Sequence, residues 1–518
     1  MRSLILVLLL VSCLAACSES SQSSDTTAIN TGAGEAVTAP AQDDSDTDSR
    51  SLDNDESLEK IQSGLGINAI SQPWKGDLDG MAERRMVRVL TVYGLGRYFF
   101  DGTQQRGLTY ELFKQFEDYL NDKYQTGLLR IEVVFMPVAR DQLLSGLLEG
   151  RGDIAAAGLT ITPERQKLVS FTQPLTGEIN EVLVTGPAAP AIESLQGLSG
   201  QKVAVRESSS YYQSLQSLNE KFVAEGKPPV EIQQISELLE DEDLFEMVHA
   251  GLLPWMVADD YKAASWTQVF DGLTVRSDLV LRSGGHIGHA FRPDSPQLES
   301  ALNDFMKTRK AGTLTGNILI NRYYRDFDWV GNALDTKALE RFRQLASIFK
   351  QYGKEYGFEY LLVAAQGFQE SRLNQEARSA AGAIGVMQML PSTAADKNVG
   401  IEDISTAEPN IHAGIRYLDF IRDRYFTEPE IDELNRKFFA LASYNAGPAR
   451  IESLRRKARD EGLDPNRWFN QVEIIAAREI GRETVQYVAN IYKYYITYTM
   501  AMAEELKREE VRQEEGLK

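Results

Sequence analysis

The chain has 518 residues, 43% of them hydrophobic and 25% charged, which are proportions ordinary for globular protein. Its formal net charge of −20 argues against a nucleic-acid partner, because neutralising phosphates needs clustered Lys and Arg, and it disfavours electrostatic docking onto anionic lipid. No internal repeat is visible, and the length beyond the N-terminal leader accommodates about three folding units.

In chain order, Met1-Arg2-Ser3 is a short basic start, and Leu4 to Val11 is an apolar run too short for a permanent membrane helix. Residues 1–17 therefore read as a signal peptide. The run ends in Leu14-Ala15-Ala16-Cys17, which resembles a bacterial lipobox and makes Cys17 the expected lipidation site. Ser18 in the next position favours the outer membrane by resemblance to the sorting rule of such lipoproteins. Cys13 would leave with the signal, so no intramolecular disulfide is expected in the remaining chain. Residues 18–72 are dominated by Ser, Thr, Asp, Ala, Gln and Gly, bury too little apolar surface to offset chain entropy, and read as an acidic tether.

Residues 82–324 alternate β-rich and helical runs. Val87 to Val92 predicts a strand, Leu108 to Tyr119 a helix, Ile131 to Phe135 a strand, and Gln142 to Glu149 a helix before Asp153-Ile154-Ala155-Ala156-Ala157. Such alternation implies an α/β unit with parallel strands. Gly150-Arg151-Gly152-Asp153-Ile154, Gly158-Leu159-Thr160-Ile161-Thr162-Pro163-Glu164-Arg165 and Val169-Ser170-Phe171-Thr172-Gln173-Pro174 resemble the extracellular solute-binding proteins of family 3. The resemblance implies a two-lobed domain whose ligands are mostly polar amino acids; in this chain wall-derived amino acids or stem peptides are the expected ligands. It makes Arg165 the clamp for a ligand carboxylate, Thr160 a neighbouring hydroxyl, Ser209 part of a helix start facing the same anion, and Asp259 the acid for the ligand ammonium. Leu253-Pro254-Trp255 departs from the family's usual approach to that last strand.

Residues 336–500 read as helical throughout, with Leu339, Phe342, Leu345, Ile348, Phe349 and Tyr352 at core spacing. Within them Glu370 follows an apolar run, Tyr360 to Phe368, and precedes a loop of small residues. An acid partly buried among Ala, Gly and Met loses solvation of its charged form, so it can hold a proton near neutral pH and give it to a leaving oxygen. Gly382 and Gly385 allow positive φ or close backbone approach, and Ser371, Ser379 and Gln388 carry groups able to hydrogen-bond a sugar. The pattern Glu370-Ser371, Ala377, Ser379, Gly382-Ala383-Ile384-Gly385-Val386-Met387-Gln388, Leu390-Pro391-Ser392-Thr393-Ala394, then Pro409 to Leu418 and Ser443-Tyr444-Asn445-Ala446-Gly447-Pro448, resembles the lysozyme-like lytic transglycosylases of family 1. That resemblance implies Glu370 as catalytic acid and base, with Ser371, Ser379, Met387, Gln388, Tyr444, Asn445 and Tyr487 along the substrate. The charged segment 501–518 reads as a solvated helical tail.

A glycosidase with two carboxylates needs its second acid at about 5 to 9.5 Å from the first, and none of Glu376, Glu402, Asp403 and Glu408 lies in a comparable context. The family implies a single acid cleaving the β-1,4 bond of peptidoglycan strands, between N-acetylmuramic acid and N-acetylglucosamine, to a 1,6-anhydro product. A goose-type lysozyme-like hydrolase, or a periplasmic sensor with a silent enzyme domain, are the alternatives. The expected architecture is thus multidomain: an α/β two-lobed periplasmic-binding-protein-like body followed by an all-α lysozyme-like domain. No metal site or cofactor is expected, and the expected location is the periplasmic face of the outer membrane.

Overall fold

Period-two alternation organises the first lobe, and the computed structural model describes it within residue 70 and residues 72–101, 104–327 and 336–517. The expected signal peptide, Cys17 and nearly all of the tether lie outside these residues. Strands β1 (Met86–Thr91), β4 (Glu132–Pro137), β5 (Ile154–Thr160), β6 (Ser170–Phe171) and β12 (Ile287–Phe291) form one sheet in the order β4-β1-β5-β12-β6, and β2 (Phe99–Asp101) and β3 (Gln104–Arg106) form a separate antiparallel pair. β1 pairs in parallel with β4 and β5, and β12 returns antiparallel to β5 and β6. Side chains of successive strand residues point to opposite faces. Val87, Val89, Val133, Phe135, Ile154 and Ala156 accordingly bury against helices α1 (Leu108–Tyr124) and α6 (Pro296–Met306). Leu90, Val92, Val134, Met136, Ala155 and Ala157 face the other way, toward α2 (Gln142–Glu149), in a core that continues into the C-terminal helices.

The second lobe has an antiparallel sheet β10-β7-β11 (Trp255–Asp259, Ile179–Thr185, Thr274–Gly285) and a parallel pair, β8 (Lys202–Val205) with β9 (Glu231–Gln234). Around them lie α3 (Ser210–Ala224), α4 (Asp241–His249) and α5 (Asp260–Trp266), while α7 (Leu314–Tyr324) belongs to the first lobe, where Leu319 joins its core. The unusual Leu253-Pro254-Trp255 approach has a packing role: Trp255 is buried and its indole N–H donates to the Lys202 carbonyl at 2.9 Å. The expected strand and helix positions of the first lobe agree with the observed ones to within a few residues.

The C-terminal part comprises α8 (Thr336–Tyr356), α9 (Tyr360–Ser371), α10 (Ala407–Tyr425), α11 (Glu433–Ala446), α12 (Pro448–Asp460), an irregular kinked turn (Trp468–Val472), α13 (Glu473–Glu479) and α14 (Arg482–Glu514). Leu345, Ile348, Phe349 and Tyr352 pack into the core as expected, while the side chains of Leu339 and Phe342 lie outside the described residues. Two expectations need correction. The segment 501–518 is no separate tail, because α14 runs unbroken for 33 residues from the helical part to the second lobe. Nor is it merely solvated: Arg508 donates to Asp243 (Nε, 3.0 Å), Glu242 (2.9 Å) and the Tyr93 carbonyl (3.0 Å), Arg512 pairs with Asp243 and Glu246, and Leu517 is buried in the second-lobe core. No helix among the described residues is long and apolar enough to cross a membrane.

Candidate active site

Glu370 sits in the last turn of α9, whose other face is apolar and buried. The helix stops at once afterwards: Arg372 and Leu373 both adopt left-handed backbone (φ 58° and 59°), and their N–H groups bond back to Phe368 and Gly367. This abrupt end leaves Glu370 beside the loop rather than under another helical turn. The loop is folded on itself, with Ser379 and Ala383 paired through backbone (2.9 Å) and Ile384 and Met389 exchanging two backbone bonds. Gly385 is required there, since its φ is 80° and a Cβ would stand 2.5 Å from the side chain of buried Asn410. Asn410 in turn accepts from the Met387 N–H (2.8 Å) and donates to the Ile384 carbonyl (2.9 Å), anchoring the loop on α10. The close approach made possible by Gly385 is therefore to Asn410. Gly382 also has positive φ, with open space around it.

Burial raises the Glu370 pKa to about 7, against the lowering effect of a hydrogen bond from Tyr487, whose hydroxyl donates to Oε1 at 2.6 Å. Tyr487 reaches it from α14 and is itself held by the Gln366 amide, which donates to its oxygen at 3.0 Å. Tyr444, on the last turn of α11, donates to the Met387 carbonyl (2.8 Å) and touches the Met389 sulfur. Both phenols have pKa values pushed well up, chiefly by burial and secondarily by the nearby Glu370 charge. Arg372 turns away, over the ring of Phe368.

The structure sorts the other expected residues. The Ser371 hydroxyl faces inward, donating to the Val386 carbonyl at 2.8 Å and accepting from the Asn374 N–H, and so ties the loop to the helix end. Met387 has a fully buried side chain packed on Gly414. Gln388 is half-buried, and its amide protons go to the Ala377 and Gly385 carbonyls within the loop. Asn445 accepts from the Thr484 hydroxyl (2.7 Å) and ties α11 to α14. Ser379 remains exposed, its oxygen accepting from the Ala383 N–H. Of the rival carboxylates, Glu408 accepts from Tyr352, and Glu376, Glu402 and Asp403 are exposed. Gln366, absent from the sequence-based expectations, is the added member of the site.

In the two-lobed body the expected ligand groups are brought together but bound to the chain itself. The buried Arg165 guanidinium donates to the carbonyls of Thr160 and Ser208, each at 2.8 Å, and burial with Arg140 nearby lowers its pKa to about 10. The Thr160 hydroxyl accepts from Ser210, while Ser209 caps α3 through the Tyr212 N–H. Asp259, expected to hold a ligand ammonium, instead faces Lys262 at 2.8 Å, and the same ammonium lies 2.8 Å from Asp241. Arg140 and Glu240 close a paired bridge between the lobes.

The fold and site together define a solute-binding body fused to a transglycosylase domain: residues 97–324 match the bacterial extracellular solute-binding proteins, family 3, and residues 347–465 match the Transglycosylase SLT domain. Tyr487 lies beyond the second match. A protein of Shewanella frigidimarina named membrane-bound lytic murein transglycosylase F is 30% identical over 463 residues, covering 84% of this chain and 91% of its own. A protein of the same name from Pseudomonas fluorescens is 29% identical over 456 residues, covering 84% and 89%. The chain belongs to the family of membrane-bound lytic murein transglycosylases F.

Proposed function

We propose that this chain is a peptidoglycan lytic transglycosylase that cleaves the β-1,4 bond between N-acetylmuramic acid and N-acetylglucosamine without water, in cell wall turnover and remodelling. The observation that carries the reading is a single carboxyl, Glu370, held near neutral pKa by burial beside the phenols of Tyr487 and Tyr444. Protonated, Glu370 gives its proton to the leaving glycosidic oxygen. The substrate's acetamido group stabilises C1, and the exposed Ser379 hydroxyl, whose oxygen already accepts from Ala383, has its proton to offer that group. Glu370, now ionised and steadied by the Tyr487 hydroxyl, takes the proton of the muramoyl C6 hydroxyl, and C6–O attacks C1 to close the 1,6-anhydro ring.

Mass spectrometry of peptidoglycan digested by the purified protein tests this: anhydromuramoyl ends are expected, and reducing ends alone would establish a hydrolase. We further infer that the two-lobed body takes wall-derived amino acids or stem peptides, and that Cys17 carries a lipid holding the protein to the periplasmic face of the outer membrane. Cys17→Ala should then leave the outer-membrane fraction, and unchanged fractionation would refute the anchor.

A further inference from the structure

Gln366 is the one polar side chain among the buried residues of α9. It is 0% exposed, donates through Nε2 to the Tyr487 oxygen at 3.0 Å, and its Oε1 has no partner among the described residues. A buried carbonyl without a donor is unfavourable, and an apolar residue of the same shape would remove that cost. The glutamine therefore calls for an explanation other than packing.

Gln366 stands one helical turn before Glu370, and both reach the same phenol. A tyrosine hydroxyl has one proton to give. With the Gln366 NH2 donating into its oxygen, that proton has one direction left, toward Glu370 Oε1. We propose that Gln366 is a positioning residue that sets the direction of the Tyr487 hydroxyl and through it the proton affinity of Glu370. The inference rests on the reading of Glu370 as acid and then base.

An amide suits this task because it both donates and accepts. When Glu370 is ionised, Gln366 donates to Tyr487 and Tyr487 donates to Glu370. When Glu370 carries its proton, that proton points to the Tyr487 oxygen, the Tyr487 proton turns to Gln366, and a half-turn of the amide presents the now unpartnered Oε1. No proton leaves the trio in this reversal. Among the described residues the titratable groups facing Glu370 are Tyr487 from α14 and Tyr444 from α11, and burial supplies the opposing effect.

The test uses Gln366→Met, which keeps the shape, and Gln366→Ala, a second substitution suited to a helix interior. The Glu370 carboxyl is titrated by carbon NMR in the resting protein, assigned with Glu370→Gln, and the pH–rate profile is recorded alongside. The hydrogen bond relayed to the ionised carboxylate is charge-assisted and stronger than the one relayed from the neutral acid, so losing Gln366 should move the Glu370 midpoint up by about half a unit. We expect kcat to fall several-fold with KM within about twofold, and the melting temperature of Gln366→Met to be unchanged or higher. In a Tyr487→Phe background, Gln366→Met should cause no further shift. An unmoved midpoint in both Gln366 variants, or a shift that persists without the Tyr487 hydroxyl, would overturn the proposal. The NMR titration needs no turnover, so a wild-type protein that failed to release anhydro ends would defeat the functional reading while leaving this question decided.

Discussion

Raising Glu370 to a pKa of about 7 equips it to donate a proton, and the same burial makes it a local liability. Below the ordinary carboxyl range the side chain is protonated in folded and unfolded chains alike, and its stability contribution is fully present. As pH rises toward 7 the unfolded chain ionises first, so stability is lost until the folded pKa is passed. Glu370→Gln should therefore melt a few degrees higher than wild type at pH 8 and at the same temperature at pH 4, by calorimetry. The same variant should lose about three orders of magnitude in kcat, since acid and base roles fall on one residue. A melting gain of equal size at both pH values would refute the assigned pKa. Wild-type activity should decline above about pH 7 as the acid form is depleted. Glu370 was legible in the sequence because its apolar run and small-residue loop are contiguous with it. Gln366 was not, since a glutamine in a helix reads by default as solvent-facing, although its place four residues before Glu370 amid buried neighbours held the signal. Ser371, Met387 and Gln388 were legible as a motif, while the hydrogen bonds of Ser371 and Gln388 into the loop and those of Met387 to Asn410 and Tyr444 were not.

Helix α14 carries the largest departure from the sequence reading. Its N-terminal half contributes Tyr487, and its C-terminal half places Arg508 and Arg512 against the acidic start of α4. A run of Lys, Arg and Glu looks solvated when its partners lie hundreds of positions earlier, and periodicity cannot reveal a charge match over such a separation. Burial raises the Glu242 pKa to about 7, with Arg508 acting to lower it and Asp243 to raise it. Removing Arg508 leaves buried Asp243 and Glu242 with reduced compensation. Arg508→Ala should thus cost roughly 3 kcal/mol or more in chemical denaturation at pH 8. The deficit should shrink as pH falls below 7 and Glu242 takes up a proton. A loss under about 1 kcal/mol at pH 8 would mean that the helix end is only a surface pairing.

At the scale of the molecule, the two parts inferred from sequence are present, but the boundary between them is a shared core. The strands of the first-lobe sheet were legible as β-rich runs; what covers the second face of the sheet depends on the tertiary meeting of β4 with α14, where Lys493 pairs with Glu132. The cleft between the lobes was likewise legible as a set of residues and not as a set of partners. Lys262 holds Asp259 and Asp241 and is itself held charged, its pKa raised by both carboxylates against burial. On the proposed reading of the body as an amino-acid receptor with Asp259 as the ammonium's partner, the ligand displaces Lys262 from Asp259. Lys262→Met should lose about 3 kcal/mol of stability and bind amino acids at least tenfold more tightly than wild type, as read by calorimetry on the whole chain. Equal affinity would show that Asp259 takes no part in recognition. The 33-residue helix that bears Tyr487 and Arg508 is a strut of about 50 Å. Its backbone amides near both positions should then exchange with deuterium through one cooperative opening, so that the loss of enzymatic activity and the loosening of the distant lobes occur at the same denaturant concentration.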